Sequence, residues 1–266
     1  MKELSLKELK EIEFELLQLF DSFCTENNIK YYLSHGTLLG AIRYQKFIPW
    51  DDDIDLLIPR EDYDKMITLF KDDERYQLFA FEKNENYRFP YAKLCDMTTR
   101  KIEFDHNNGV DLGVDIDLFP LDAWDNDIEV ARKEVKSLQK NMLCLNMIRM
   151  KKPNTTNYVK KIIGWIAILF CKISGSKHYI KNIIKIGENS NAKSDYLGCK
   201  VWCVYGERGI IPAEAFAESI EVEFEGQMFP APKGYDTYLT CLYGDYLPEP
   251  PKEKQKTHHN FKAYKL

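Results

Sequence analysis

Four aspartates occupy five positions between two apolar segments, in the stretch FIPWDDDIDLLIP from Phe47 to Pro59. A run of like charges is usually a solvated face, but the flanking segments here have the composition of a buried strand. On a strand, the side chains of Asp53 and Asp55 point to one face, while Ile54 and Leu56 point to the other and can pack into a core. The fold must therefore neutralise several carboxylates that lie beside buried residues.

This group of carboxylates predicts a metal site. Hard oxygen ligands favour Mg²⁺ or Mn²⁺, and Mg²⁺ commonly shares its site with substrate phosphates. Asp115 and Asp117, in GVDIDLFPLD, repeat the same alternation and add a further carboxylate if the two strands are neighbours. Three carboxylates can hold two metal ions for phosphoryl transfer.

The other interpretation of either acid, Asp115 or Asp117, is a salt bridge or a loop cap. An EF-hand is disfavoured, because Leu56 replaces its glycine.

Small residues upstream, in SHGTLLGAIR, predict a turn from a strand into a helix. Backbone N–H groups at the N-terminus of a helix can bind phosphate. We therefore predict that substrate is bound by His35, Gly36 and Thr37 at the turn, by Arg43 in the helix, and by Lys93 in YAKL. A surface salt bridge is an equally good interpretation of Arg43 and Lys93.

Composition excludes several classes of protein. A chain of 266 residues, 44% of them hydrophobic, can bury a substantial core. Its net charge of -5 argues against a nucleic-acid partner, because phosphate binding needs a basic face. Seven cysteines without paired spacing are typical of reduced thiols in the cytoplasm, and Cys199 with Cys203 supplies too few ligands for a zinc site. We expect no secretion signal, because residues 1–10 are charged and lack an apolar segment.

Hydrophobic periodicity predicts an α/β (α+β) fold, with a mixed sheet core, flanking helices and a largely helical second lobe. The predicted helices cover residues 6–27, 36–42, 60–70 and 235–243. The predicted strands cover residues 31–34, 54–58, 76–81, 91–95, 101–104 and 114–119, and a hairpin follows at 219–232. We expect a catalytic core at 1–126, a helical lobe at 127–198 whose helices extend to about Asn191, and a closing segment at 199–266 that ends in a polar tail.

The stretch from Ile162 to Ile173, IIGWIAILFCKI, is the most apolar part of the chain. It is too short to span a bilayer, which takes about 20 apolar residues. A buried core helix is the simpler interpretation. The alternative is a helix in the membrane interface, with lysines at its rims and Trp165 at the level of the lipid headgroups.

Four segments occur in an order that resembles a known family: HGTLLGAIRYQKFIPWDDDIDLLIP, YAKL, DIDLFPLD and YGDYLPEPP. The chain resembles the LicD family from about Tyr31 to His259, and IPWD with its paired aspartates is distantly similar to the animal fukutin-related protein. The resemblance implies a nucleotidyltransferase-type fold. It also implies transfer of a phospho-alcohol, typically phosphocholine from CDP-choline, to a sugar hydroxyl of a cell-surface glycan or teichoic acid precursor, with release of CMP.

The resemblance also assigns roles to single residues. Asp53 and Asp55 match the metal-binding pair of the family, and Asp117 matches its third carboxylate, so these three are the predicted catalytic and metal-binding residues. Gly36 and Thr37 match the Gly-Ser/Thr turn of the fold. The preceding aspartates at 51 and 52 match an acidic lead-in that supports the metal pair.

Several alternatives stay open at this point. The same fold can transfer a nucleotide and release pyrophosphate, or it can be retained by a non-catalytic protein. Gln255 stands where many family members have a basic residue, which leaves the acceptor and the alcohol undetermined. A lipid-linked acceptor would place the protein in the cytoplasm at the inner face of the membrane, with Ile162 to Ile173 as the contact.

Overall fold

The structure, a computed structural model, describes residues 1–153, 155–188, 194–257 and 260–266. The α/β prediction is confirmed, because one mixed sheet carries helices packed against it. The predicted helical limit at Asn191 and the end of the family resemblance at His259 lie outside the described residues.

The helices follow the apolar periodicity closely. In the described residues they are α1 (Leu6–Asn27), α2 (His35–Tyr44), α3 (Arg60–Leu69), α4 (Ile128–Arg149), α5 (Tyr158–Glu188) and α6 (Tyr235–Tyr243). Helix α1 begins with a capping box between Ser5 and Glu8, and it ends at Asn28, whose φ of 50° is left-handed. Helix α5 is interrupted at Gly175, where φ is 75° and ψ is 157°.

The strands form one sheet and a separate hairpin. They are β1 (Lys2–Glu3), β2 (Tyr32–Leu33), β3 (Asp55–Pro59), β4 (Tyr76–Phe79), β5 (Ala92–Glu103), β6 (Leu112–Ala123), β7 (Tyr196–Gly198), β8 (Ile211–Pro212), β9 (Ser219–Phe224), β10 (Gln227–Pro232) and β11 (Phe261–Lys265). The order across the main sheet is β1-β11-β5-β6-β3-β2, and β9 pairs with β10 alone. The hairpin turns at Glu225 and Gly226, which both have positive φ.

The register of three strands positions the acidic residues. Strand β3 runs parallel to β6, with Asp55 beside Asp117. Strand β5 runs antiparallel to β6 on its other side, with Lys93 opposite Asp117 and Cys95 opposite Asp115. The alternate residues of β6, such as Ile116, are fully buried in the core. The sheet therefore brings both acidic segments and one lysine to neighbouring positions.

Two predictions about strands are wrong in detail. The predicted strands at 91–95 and 101–104 are one strand, β5, because its central polar residues are bonded within the fold. Arg75 Nε donates to Asp96 at 3.0 Å, and Thr99 Oγ1 both donates to the Asp96 carbonyl and accepts from Val114 N–H. The polar tail also ends in a strand, since β11 pairs with β5 from Thr99 to Glu103.

The first half of α5 is exposed, so its interpretation as a buried core helix is wrong. Only two of its large apolar side chains, Ile168 and Cys171, are buried. Nine large apolar side chains are exposed and together form what we call the apolar face of α5: Tyr158, Val159, Ile162, Ile163, Trp165, Ile166, Leu169, Phe170 and Ile173. No helix within the described ranges has the length and apolar character needed to cross a bilayer.

Candidate active site

A cavity of about 640 Å³ opens at the point where β3, β5 and β6 meet. Its acidic wall is made by Asp53, Asp55, Asp115 and Asp117, and Lys93 lies among them. The structure thus brings the three predicted metal-binding acids and one predicted substrate-binding lysine to one place. The two predicted acidic segments are neighbours because β3 and β6 pair directly.

Asp55 and Asp117 share an environment that disfavours their charged forms. Burial, followed by repulsion from Asp53 and Asp117, raises the pKa of Asp55 well above its ordinary value. Burial also raises the pKa of Asp117, although Lys93 opposes this shift. Two part-buried carboxylates with raised pKa values on adjacent strands are typical of a catalytic or cation-binding site.

Asp115 differs from Asp117 because it is bonded to two lysines. Lys93 Nζ donates to Asp115 Oδ1 at 2.7 Å, and Lys101 Nζ donates to Asp115 Oδ2 at 3.0 Å. Burial alone would raise the pKa of Asp115, but the two lysines hold it at about 2. Lys93 also donates to Asp117, so its pKa is well above the ordinary value in spite of its burial. Asp115 is therefore neutralised by two lysines and has a structural role. Asp117 is bonded to Lys93, which it shares with Asp115.

The first turn of α2 supports the acidic wall from outside the cavity. Thr37 Oγ1 accepts a hydrogen bond from the backbone N–H of Asp55 at 2.8 Å, which fixes the start of β3. A side chain at Gly36 would collide with Asp51, since its Cβ would lie 2.6 Å from Asp51 Oδ2. The Asp51 carboxylate thus lies against the first turn of α2, where the helix dipole favours a negative charge.

His35 packs behind Asp55. Its ring stacks on Tyr205 with centroids 5.7 Å apart, and its Nδ1 lies 3.8 Å from Asp55 Oδ2. Its backbone, with a φ of 44°, donates a hydrogen bond to the Tyr238 hydroxyl at 3.2 Å. Burial lowers the pKa of His35 to about 4, so the imidazole is neutral at pH 7. The geometry suits positioning of Asp55.

Arg43 lies apart from the acidic wall. Its Nη2 donates to the Pro248 carbonyl at 2.9 Å, and the neighbouring Tyr44 hydroxyl donates to Glu249 at 2.7 Å. These bonds tie the end of α2 to the C-terminal segment. Of the five predicted substrate-binding residues, only Lys93 lines the cavity. His35 and Thr37 contact Asp55 from behind, Gly36 lies against Asp51, and Arg43 is directed to Pro248.

The acidic run itself forms a compact group. Asp51, Asp52 and Asp53 each place one carboxylate oxygen within 4.8 Å of the others. Asp53 belongs both to this group and to the cavity wall. Carboxylate oxygens are the ligands that Mg²⁺ and Mn²⁺ prefer, and a cation would relieve the repulsion that raises the pKa of Asp55. The donor set therefore fits a divalent cation: Asp51, Asp52 and Asp53 have the spacing to hold one, and Asp55 follows them at the start of β3.

Lys101, Arg149 and Trp202 are among the residues of the cavity wall that were not predicted. Arg149 is 5% exposed, donates to Asn108 Oδ1 at 3.0 Å and lies 3.8 Å from the centre of the Phe89 ring. A lone arginine in the apolar stretch CLNMIRM was a signal that pointed to it. Lys101 and Trp202 have no comparable local signal, because only tertiary pairing brings them to the cavity.

Aromatic rings form the wall next to the acids. The Tyr91 ring lies 4.4 Å from Phe119 and 5.5 Å from Trp202, measured between centroids. Trp202 is half-buried, whereas the other two rings are almost fully buried. The carboxylates at one wall can hold a metal ion and, through it, a phosphate group. The partly open indole ring at the next wall can bind an organic cation.

Comparison with known proteins places this site in a family. Residues 28–140 match the family model described as "LicD/FKTN/FKRP, nucleotidyltransferase domain". The chain is also 32% identical, over all of its length and all of the relative's, to the lipopolysaccharide cholinephosphotransferase LicD of Haemophilus influenzae. The chain belongs to the LicD family. An uncharacterized protein of Rickettsia typhi is 45% identical over 73 residues, or 26% of this chain and 21% of that protein.

The LicD family match contains most of the acidic site. The matched residues 28–140 include α2, the acidic run, β3, β5 and β6. They do not reach Arg149 or Trp202, which come to the cavity from α4 and from the segment after β7. The similarity to the Haemophilus protein extends over these later elements as well.

Proposed function

We propose that this LicD-family protein is an Mg²⁺-dependent phosphotransferase that moves phosphocholine from CDP-choline to a sugar hydroxyl of a cell-surface glycan or teichoic acid precursor. The observation that carries the proposal is the cavity in which Asp53, Asp55 and Asp117 converge beside Lys93. Membership of the LicD family and full-length similarity to a cholinephosphotransferase support the reaction class.

In the proposed reaction, the acceptor hydroxyl oxygen attacks the phosphorus that bears choline. A new O–P bond forms, the bond to the bridging oxygen breaks, and CMP leaves. Asp117 accepts the hydroxyl proton, since a carboxyl group whose pKa is raised by burial is a better base than an ordinary one. When bound at Asp53 and Asp55, Mg²⁺ would neutralise phosphate charge and lower the pKa of the attacking hydroxyl.

The other residues have supporting roles in this proposal. Lys93 keeps Asp117 in place and adds positive charge next to the phosphates. The neutral His35 and the Thr37 hydroxyl hold Asp55 in position. Trp202 faces the choline headgroup, because an indole ring attracts a quaternary ammonium more strongly than other aromatic rings do.

The proposed acceptor is lipid-linked, and the reaction takes place at the cytoplasmic face of a membrane. Seven free cysteines support a reducing compartment. The apolar face of α5 supports contact with lipid.

Product analysis tests the reaction directly. The purified protein is incubated with Mg²⁺, a glycan acceptor and, separately, CDP-choline, CDP-ribitol or CDP-glycerol, and CMP is measured. We expect CMP from CDP-choline and none from samples with EDTA. Release of pyrophosphate from a nucleoside triphosphate in place of CMP would favour the nucleotidyltransferase alternative. No turnover with any donor would favour a non-catalytic member of the family.

A further inference from the structure

The two halves of α5 differ in whether their apolar side chains are buried against the rest of the protein. After Gly175 the helix is ordinarily amphipathic: Ile180 and Ile183 are fully buried, while Lys177 and Lys181 pair with Glu85 at 2.7 and 2.9 Å. Before Gly175 the apolar face points to solvent, and exposed fractions range from 44% at Trp165 to 78% at Ile173. A contiguous exposed face of this kind marks an interaction surface.

The first half of α5 contacts the rest of the protein through a narrow strip of its surface. Cys171 Sγ lies 3.8 Å from Met147 Sδ of α4, and a Cβ at Gly164 would lie 2.8 Å from the Pro153 side chain. At about 100° per residue, the nine exposed side chains cover an arc of about 160°, and the buried Ile168 and Cys171 lie on the opposite side. Contacts of this helix with its own chain therefore cover only the side that carries Ile168 and Cys171, and they leave the apolar face of α5 exposed.

Charge indicates what covers this face. The chain as a whole has 37 basic and 42 acidic residues, yet residues 127–188 contain 13 basic and four acidic ones. Exposed Lys160, Lys161 and Lys172 border the apolar arc on α5 itself. An apolar helix face bordered by lysines, with a tryptophan at its margin, is complementary to a bilayer surface that carries negative headgroups. A second copy of the chain would place like charges against each other.

We infer that the apolar face of α5 inserts into the interfacial layer of a membrane that contains anionic lipids. The helix lies in the plane of the membrane, with Trp165 near the headgroups and the flanking lysines bound to lipid phosphates. Helix α4, on which α5 packs, supplies Asn146 and Arg149 to the cavity wall. Membrane docking therefore also places the cavity beside a lipid-linked acceptor, a consequence that rests on the proposed function.

Vesicle sedimentation of the full chain tests the inference without donor or acceptor, so its failure would leave the proposed reaction untouched. Vesicles of phosphatidylcholine alone are compared with vesicles that also contain phosphatidylglycerol, at low and high salt. We expect binding to the anionic vesicles, at least about tenfold weaker binding to the neutral ones, and weakening by salt.

Paired variants locate the contact. Trp165→Glu with Phe170→Glu should reduce binding at least about tenfold, because charge replaces inserted apolar surface. Met228→Glu with Leu247→Glu is the matched control, since these side chains are 55% and 66% exposed elsewhere on the chain. Circular dichroism checks that both proteins are folded.

A second measurement reports insertion directly. Brominated lipids should quench the fluorescence of the wild-type protein, and Trp165→Phe, which keeps the apolar face, should remove most of that quenching. The inference is overturned if neither vesicle type binds the protein, or if the charged pair binds as well as the control. It is also overturned if the wild type is a dimer in solution and the charged pair is a monomer, because a second copy would then cover the face.

Discussion

Lys93 and Asp117 stand opposite each other on β5 and β6, and the Lys93 ammonium donates to the Asp117 carboxylate. The same ammonium binds Asp115, which has Lys101 as a second partner. Of the two β6 acids that line the cavity, Asp115 is therefore neutralised by two lysines and Asp117 shares one of them. This asymmetry leaves Asp117, beside Asp55, as the carboxylate of β6 that is available to substrate.

Asp55→Asn should reduce turnover at least about 100-fold, because it removes a ligand of the proposed cation. Without divalent cations, the same variant should be more stable than the wild type, since one of several repelling carboxylates is gone. Thermal melts in EDTA and in Mg²⁺, together with CMP release, measure both effects. Asp111→Asn is the control, because that side chain is 84% exposed. Normal turnover by the Asp55 variant would contradict the proposed site.

Lys93→Met should lower the free energy of unfolding by about 3–5 kcal/mol, because it removes the lysine that binds Asp117 and leaves Asp115 with one lysine in place of two. Lys177→Met is a suitable comparison: its side chain is 53% exposed and pairs with Glu85, so the expected loss is below about 1 kcal/mol. Urea denaturation measures both values. Adding Asp115→Asn to Lys93→Met should recover part of the loss, and a purely additive double variant would argue against direct coupling.

Trp202→Ala should raise the KM for CDP-choline about three- to thirtyfold, the range expected for a lost cation–π contact. The comparison donor is CDP-3,3-dimethylbutanol, which has the shape of CDP-choline without its positive charge. Its KM should change less, and Trp202→Phe should be intermediate for CDP-choline. Equal changes for both donors would show that Trp202 contributes shape and not recognition of charge.

Glu13→Gln should stabilise the protein at pH 8 and have little effect at pH 5. Glu13 is fully buried on α1, and within the described part of the chain its two carboxylate oxygens have no hydrogen-bond partner. Burial raises its pKa well above the ordinary value of 4.5. The folded state therefore binds more protons than the unfolded state, and the stability of the wild type falls as the pH rises above about 4.5.

The gain at pH 8 should be about 1–3 kcal/mol, the cost of burying an unpaired polar group. Thermal melts of both proteins across this pH range test the sign. Glu11→Gln, on the same helix with a side chain that is 59% exposed, should show no such dependence. A gain that is equal at pH 5 and pH 8 would mean that the charge of Glu13 is not the cause.

Short-range patterns were sufficient for most helices and strands, and for the acidic face of β6. Periodicity identified α1 and α6 within a residue or two of their bounds, because local hydrogen bonds and apolar spacing decide such elements. The same reasoning divided β5 in two and missed β11, since both depend on partners that are distant in sequence.

The sequence by itself determined that Asp115 and Asp117 share a strand face, because side-chain alternation is a local property of the backbone. The same prediction for Asp53 and Asp55 is wrong, because β3 begins at Asp55 and Asp53 lies in the segment before it. Only the tertiary structure determined which basic side chains lie near these carboxylates. Lys93 and Lys101 reach Asp115 through strand register, Arg149 reaches the cavity from another helix, and Arg43 is directed away to Pro248. Tertiary packing also left the apolar face of α5 exposed, because burial depends on which surfaces remain for a helix to cover and not on its own composition.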